Sequence, residues 1–253
     1  MIQPIQLDPS YQSSPDLLKG RSILITGAGD GIGKELAITA ARHGAEVVLL
    51  GRTQAKLEAV YDEIEKITGN KSIICPVELE TMDEAQADQL ADSLAAELGG
   101  KLDGLVHNAG ILGQRAPVQN HSVAVWQSVM QINLNACFIL SKALLPLLTA
   151  SPDGRILFTT SGVGRIGIAF WGAYGVSKFA VEGLSQTLAD ELTQTTSIRV
   201  NAVNPGITRT AMRAAAAPAE NPASIKPPSD LMYGYLYLLG PDSKDVSGQS
   251  IDL

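Results

Sequence analysis

Tyr174 and Lys178 stand four residues apart, a spacing that puts a phenol and an ammonium on one face of a helix. Ser161 lies thirteen residues before Tyr174, and Asn133 twenty-eight before Ser161. A phenol can pass its proton to an oxygen on which charge is developing, and a nearby hydroxyl can bond that oxygen. A free tyrosine titrates near about 10, too high for easy exchange at neutral pH. A neighbouring ammonium favours the phenolate, and Lys178 is spaced to provide it. Singly, each residue has a plain structural use: a half-buried tyrosine, a solvated lysine, a strand-end serine, a mid-helix asparagine bonded to backbone. Together, at this spacing, they point to proton transfer.

A second stretch speaks to ligand binding. Ser22-Ile-Leu-Ile-Thr26 is a short apolar run, partly β-branched, that ends in Gly27-Ala-Gly29-Asp30-Gly31-Ile32-Gly33. It reads as a strand buried on both faces. After Gly33, residues Leu36, Ala37, Ala40 and Ala41 form one helical stripe. The glycines therefore sit where a strand turns directly into a helix, whose unpaired N–H groups and partial positive charge suit a phosphate. The spacing differs from the usual dinucleotide fingerprint, and a tight turn without a ligand would use the same residues.

Both stretches need a scaffold. Buried strands are expected at 46–50, 72–77, 102–107, 155–160, 197–203 and 249–253, with helices at 54–68, 82–98, 122–150, 172–194 and 229–239. Pro146 is expected to bend the 122–150 helix late. This alternation predicts a single α/β domain over 21–253: a Rossmann-type, doubly wound parallel sheet of about seven strands with helices on both faces. Ligands bind such sheets at the carboxyl ends of the strands, where Gly27–Gly33, Arg52, Asn108–Gly110, Ser161 and Pro205-Gly206 all fall. Residues 1–20, with three prolines, read as an N-terminal arm lying on the surface. The Ala- and Pro-rich stretch 211–228 reads as a mobile lid.

Bulk properties narrow the function classes. The chain has 253 residues, 45% apolar and 18% charged, as in a soluble globular protein. A net charge of −7 without a basic run argues against nucleic acid as a partner. No uninterrupted apolar run suggests a membrane span, no secretion signal is visible, and a cytoplasmic setting is the default. Cys75 and Cys137 lie in apolar segments and read as buried free thiols; no metal is expected.

With these pieces assembled, the sequence resembles the short-chain dehydrogenase/reductase family, in its ~250-residue type. The matching pieces are Thr26-Gly27-Ala-Gly29-Asp30-Gly31-Ile32-Gly33, Asn108-Ala109-Gly110, Asn133, Ser161, Tyr174-Gly-Val-Ser-Lys178 and Pro205-Gly206-Ile207-Thr208-Arg-Thr210, in the family's order and spacing over residues 20–253. Within the family it looks most like the YciK-like oxidoreductases. The resemblance implies hydride transfer between a nicotinamide cofactor and a small carbonyl or alcohol, with Asn133, Ser161, Tyr174 and Lys178 catalytic. Tyr174 would be the proton donor and Ser161 would bond the carbonyl oxygen. Lys178 would also bond the nicotinamide ribose, and Asn133 would hold a water in a proton relay. The cofactor would lie along the glycine loop, with Glu78 and Leu79 near adenine and Ala109-Gly110 passing the adenine ribose. Asn108 would brace the central strands. Pro205, Gly206, Ile207, Thr208 and Thr210 would meet the nicotinamide end.

Relatives that prefer NAD usually carry an acid at the end of the second strand, which bonds the adenosine 2′-hydroxyl. Here Gly51 takes that place and Arg52 follows, so NADP(H) is the expected cofactor, with NAD(H) possible. Glu78 stands where aspartate commonly bonds adenine. His107 replaces a common asparagine and reads as structural. A homo-oligomer is expected through the helices at 122–150 and 172–194. A non-catalytic NADP(H) sensor is the alternative function on the same fold.

Overall fold

The structure, a computed structural model, describes residues 3–253. The chain runs β1 (Ile5–Gln6), β2 (Ser22–Thr26), α1 (Gly31–Arg42), β3 (Glu46–Gly51), α2 (Gln54–Thr68), β4 (Ile73–Pro76), α3 (Glu84–Glu97) and β5 (Gly104–His107). It continues through α4 (Val123–Met130), α5 (Ala136–Thr149), β6 (Arg155–Thr159), α6 (Gly172–Thr193), β7 (Arg199–Asn204), α7 (Ala211–Ala216), α8 (Met232–Leu239) and β8 (Ser250–Asp252).

All eight strands join one parallel sheet in the order β1-β8-β7-β6-β5-β2-β3-β4. Alternating strand residues go to opposite faces, as the two-residue strand period requires. Ile23, Ile25, Val47 and Leu49 pack with α1, α2 and α8, while Leu24, Val48 and Leu50 pack with α3, α5 and α6. The chain order reverses between β2 and β5, and the crevice above that point is where an open α/β sheet holds ligands.

Two expectations are corrected. The N-terminal arm does more than lie on the surface: Ile5 and Gln6 pair with Ile251 and Asp252, adding an eighth strand at the edge. Leu18 is fully buried and the Tyr11 hydroxyl donates to Asp242 at 2.7 Å. Second, the 122–150 helix is not one α-helix. Gln131–Asn135 forms a π turn, in which the Ala136 N–H reaches back to the Gln131 carbonyl. The extra residue per turn offsets the faces of α4 and α5, and such turns mark functional positions. Val123–Thr149 taken as one segment is long and apolar enough to cross a membrane by length and composition alone, its most apolar 18-residue stretch having a mean hydropathy of 1.5. Half of it is buried; Ile132, Ala136, Leu140, Leu144 and Leu148 are spent on the core.

The other elements stand close to their expected bounds. Cys75 and Cys137 are both free; Cys137 is buried but Cys75 only half-buried, and burial pushes both thiols up to about 11. The 211–228 segment forms α7 and short 3-10 turns, joined to the body by a bridge between Thr208 and Lys226.

Candidate active site

A cleft of about 830 Å³ opens at the carboxyl ends of the strands. Its floor at one end is the glycine loop. Gly27 adopts φ +69°, a left-handed conformation that favours glycine, and a Cβ there would stand 3.0 Å from the Ala109 Cα. At Gly33 a Cβ would collide with the Gly27 carbonyl, so α1 can start directly against the turn only with glycine there. Gly33 thus packs the loop from behind and does not line the cleft, whereas Gly27, Gly29, Asp30, Gly31 and Ile32 do. Asp30 caps α1, its carboxylate accepting from the Gly31 N–H at 2.8 Å. The Lys56 ammonium, 2.6 Å away, holds that carboxyl below its usual range.

Asn108 does brace the central strands. Its backbone N–H and that of Ala109 both donate to the Thr26 hydroxyl, and its Nδ2 donates to the Thr26 carbonyl. Ala109 and Gly110 line the cleft, as do Glu78, Leu79, Pro205, Gly206, Ile207, Thr208 and Thr210. The Thr208 hydroxyl is spent on the Pro205 carbonyl, and Thr210 caps α7. Arg52 lies at the rim, its side chain largely in solvent, 3.8 Å from the half-buried Glu78.

At the other end Ser161, Tyr174 and Lys178 share one wall. Ser161 lies two residues past β6 and opens the 3-10 turn Gly162–Gly164; Tyr174 and Lys178 stand one turn apart on α6. Gly164 packs directly on the Lys178 backbone, where any Cβ would clash. Arg165, next in the chain, pairs with buried Glu182 and with Asp252, and Ser250 donates to Glu182. This buried network pins the Ser161 turn to α6 and to β8.

Two expectations about this wall are corrected. The Tyr174 phenol is not held below its ordinary pKa here. The Lys178 ammonium, 5.6 Å from the Tyr174 ring centre, donates to the Thr159 carbonyl at 2.6 Å. Burial raises the phenol, the Ser161 hydroxyl pulls the other way, and the net shift is upward. Burial also brings Lys178 down to about 8. The Asn133 side chain does not line the cleft and is not free to hold a water. Its Oδ1 accepts from the Ile111 N–H at 2.8 Å, while its Nδ2 donates to the Ile111 carbonyl and the Ser177 hydroxyl, each at 3.0 Å. Asn133 therefore clamps the loop after β5 to α6, from the π turn.

Sequence reasoning missed Thr53 and Lys56 at the start of α2 and Thr160 beside Ser161, which line the cleft; Arg213 and Ala216 of α7, which also line it, fall in the 211–228 stretch expected as a lid but were not singled out. For Thr53 and Lys56 the signal was present: α2 begins three residues after β3, so its first turn must sit at the ligand-binding edge.

The family model for short chain dehydrogenase matches residues 21–221. The chain belongs to the short chain dehydrogenase family. Over 242 residues it is 50% identical to the oxidoreductase YciK of Escherichia coli K12, covering 96% of this chain and 95% of that one. A short chain dehydrogenase of Shigella flexneri 2a, solved in complex with NADP, superposes with a TM-score of 0.92 at 50% identity, covering 94% of this chain and 99% of that one. One from Escherichia coli CFT073, solved with NADPH, gives 0.92 and 50%, covering 95% and 99%. In this short-chain oxidoreductase the cleft fits a dinucleotide on its own terms. The α1 N-terminus opens into it, and Gly29 and Gly31 leave it a backbone floor. Thr160, buried on its wall, has a hydroxyl with no partner among the described residues.

Proposed function

We propose that this oxidoreductase interconverts a carbonyl and an alcohol using NADP(H), with Tyr174 as proton donor and acceptor. The observation that carries the reading is the convergence of Ser161, Tyr174 and Lys178 on one wall of a cleft whose other end is a phosphate-type helix N-terminus. Relatives of half-identical sequence solved with NADP and NADPH support the cofactor. The glycine loop and α1 would hold the pyrophosphate, Arg52 with Lys56 the adenosine 2′-phosphate, and Lys178 the nicotinamide ribose. Bound there, the nicotinamide supplies or removes the hydride.

The chain's own residues handle the proton. As the carbonyl carbon gains hydride, its π pair moves to oxygen, Ser161 donates a hydrogen bond to that oxygen, and Tyr174 delivers its proton. A ketone, NADPH and a proton thus become an alcohol and NADP⁺. Tyr174, raised by burial, holds its proton at neutral pH, which suits reduction. Reprotonation needs a route from solvent. Lys178, lowered to about 8, can exchange a proton near neutrality, which supports it as the next member of a relay. Asn133 serves as the clamp for α6 in this reading, its side chain spent on Ile111 and Ser177 and its carbonyl accepting from the Cys137 thiol at 3.3 Å. The 211–228 segment acts as the lid over the substrate end.

The test follows NADPH absorbance with a panel of aldehydes and ketones. Tyr174→Phe should lose nearly all turnover while NADPH affinity stays within about threefold, since the lost group acts on the transition state alone. More than about a tenth of wild-type kcat in the variant would remove Tyr174 as the donor. NADPH binding without consumption by any carbonyl would favour a sensor.

A further inference from the structure

Beyond Tyr174 the cleft is walled by Leu112, Val163, Ile168, Trp171, Met212 and Ala216. Two arginines stand at this end, and neither is free. Arg213 lines the cleft, but its Nε and Nη2 donate to both carboxylate oxygens of Glu220, at 2.6 and 2.8 Å. Such two-pronged pairing occupies the edge a carboxylate ligand would need. Arg115 lies over the Trp171 ring, its guanidinium carbon 4.5 Å from the ring centre, and donates to the Ala216 carbonyl. It thereby holds the aromatic wall against the end of α7. Lys178 is buried and bonded to the Thr159 carbonyl. The cations at the other end of the cleft, Arg52 and Lys56, are beside the glycine loop.

A substrate carrying an anion would thus leave water for an apolar wall whose two arginines are already engaged, Arg213 by the Glu220 carboxylate and Arg115 by the Trp171 ring and the Ala216 carbonyl, which is costly. We infer that the substrate is a neutral carbonyl compound flanked by hydrocarbon or aromatic groups, and that Glu220 sets this preference by neutralising Arg213. The inference rests on the proposed reduction only for the word carbonyl; the choice of neutral over anionic ligand comes from the wall. Trp171, 5.8 Å from the Tyr174 ring, offers such a ligand a flat apolar surface beside the phenol.

The experiment measures binding to the full-length protein saturated with NADP⁺, by calorimetry, for two matched pairs of ligands. These are acetophenone with 4-acetylbenzoate, and 2-octanone with 7-oxooctanoate. The neutral member of each pair should bind at least about tenfold more tightly, the equivalent of one unpaired buried charge partly relieved by solvent. Glu220→Gln should narrow that ratio to within about threefold by freeing Arg213. Arg213→Gln, which removes the cation, should keep or widen it, and both variants are checked for a native circular dichroism spectrum. Equal or tighter binding of the carboxylates to the wild type would overturn the inference. So would binding of neither member, or a ratio unmoved by Glu220→Gln in a folded variant. NADPH consumption is read separately: neutral ligands that bind but are never reduced would sink the reductase reading and leave the substrate-pocket assignment standing.

Discussion

Arg52→Ala should lower the affinity for NADP⁺ much more than that for NAD⁺, and the structure bounds the size of the effect. The Arg52 guanidinium sits at the rim of the cleft with 69% of its side chain exposed, 3.8 Å from Glu78. A charge-assisted bond to a 2′-phosphate is worth about 1.5–3 kcal/mol in a sheltered site. To make it, Arg52 must give up Glu78, an exposed pair worth about 0.2–1 kcal/mol. Solvent and salt screen what remains, leaving about 1–2 kcal/mol, or about 5- to 30-fold in affinity. Glu78 gives the sign a second check. It competes for Arg52 and repels phosphate, so Glu78→Gln should tighten NADP⁺ by up to about fivefold. Gly51→Asp added to Arg52→Ala should shift preference toward NAD⁺. The new Cβ would stand 3.1 Å from Leu57 Cδ2, which must give by a few tenths of an ångström. The assay is a titration of both cofactors into each protein at two ionic strengths. Equal losses for NADP⁺ and NAD⁺ in Arg52→Ala, or an NADP⁺ affinity indifferent to salt, would refute the reasoning.

Other consequences can be measured. Lys178 is buried with its pKa lowered from 10.5 to about 8, so below pH 8 both states carry the charge and the folded one bears the cost. That cost, of order 3 kcal/mol, fades as pH rises from 8 toward 10.5. Lys178→Met should therefore raise Tm at pH 7, by less at pH 10, while abolishing turnover; a lower Tm at pH 7 would contradict this. His107 is buried, bonded to Ser141 at 2.8 Å and stacked on Phe158, and burial holds its pKa down at about 3. The unfolded chain takes up that proton below about pH 6.5, so stability falls toward pH 3 by about 1.4 kcal/mol per unit. His107→Asn should flatten that slope in urea titrations between pH 6.5 and 4, and an unchanged slope would assign acid sensitivity elsewhere. Phe138 on α5 and Val176 and Phe179 on α6 are about half exposed, which supports the expected homo-oligomer. A monomer mass by light scattering at micromolar concentration would refute it.

The strand-to-helix alternation was legible because each buried strand is a short apolar run closed by a turn signal, and these are local properties. The carboxyl-end placement of Gly27–Gly33, Arg52, Ser161 and Pro205-Gly206 followed from the topology rule alone, and all of these but Ala28 and Gly33 line the cleft. The edge strand Ile5–Gln6 was not legible. Two residues carry no periodicity, and their pairing exists only because β8, at the far end of the chain, leaves an open edge. The π turn was hidden for a related reason: Gln131–Asn135 contains no glycine or proline to interrupt a helical pattern, and the turn goes with the partners that Asn133 finds in Ile111 and Ser177.

By itself, then, the amino-acid order determined the α/β class, the elements and the set of chemistry-bearing residues, since period, spacing and glycine content are written along the chain. Tertiary structure alone decided how those residues are charged and what they face. Lys178 lies a turn from Tyr174 in any helix, yet only burial beside the Thr159 carbonyl brings it to about 8 and leaves the phenol raised. Arg213 and Arg115 look alike in sequence. Only folding places Glu220 on one and Trp171 beneath the other, because the energy of a charge depends on neighbours and solvent that no local pattern records.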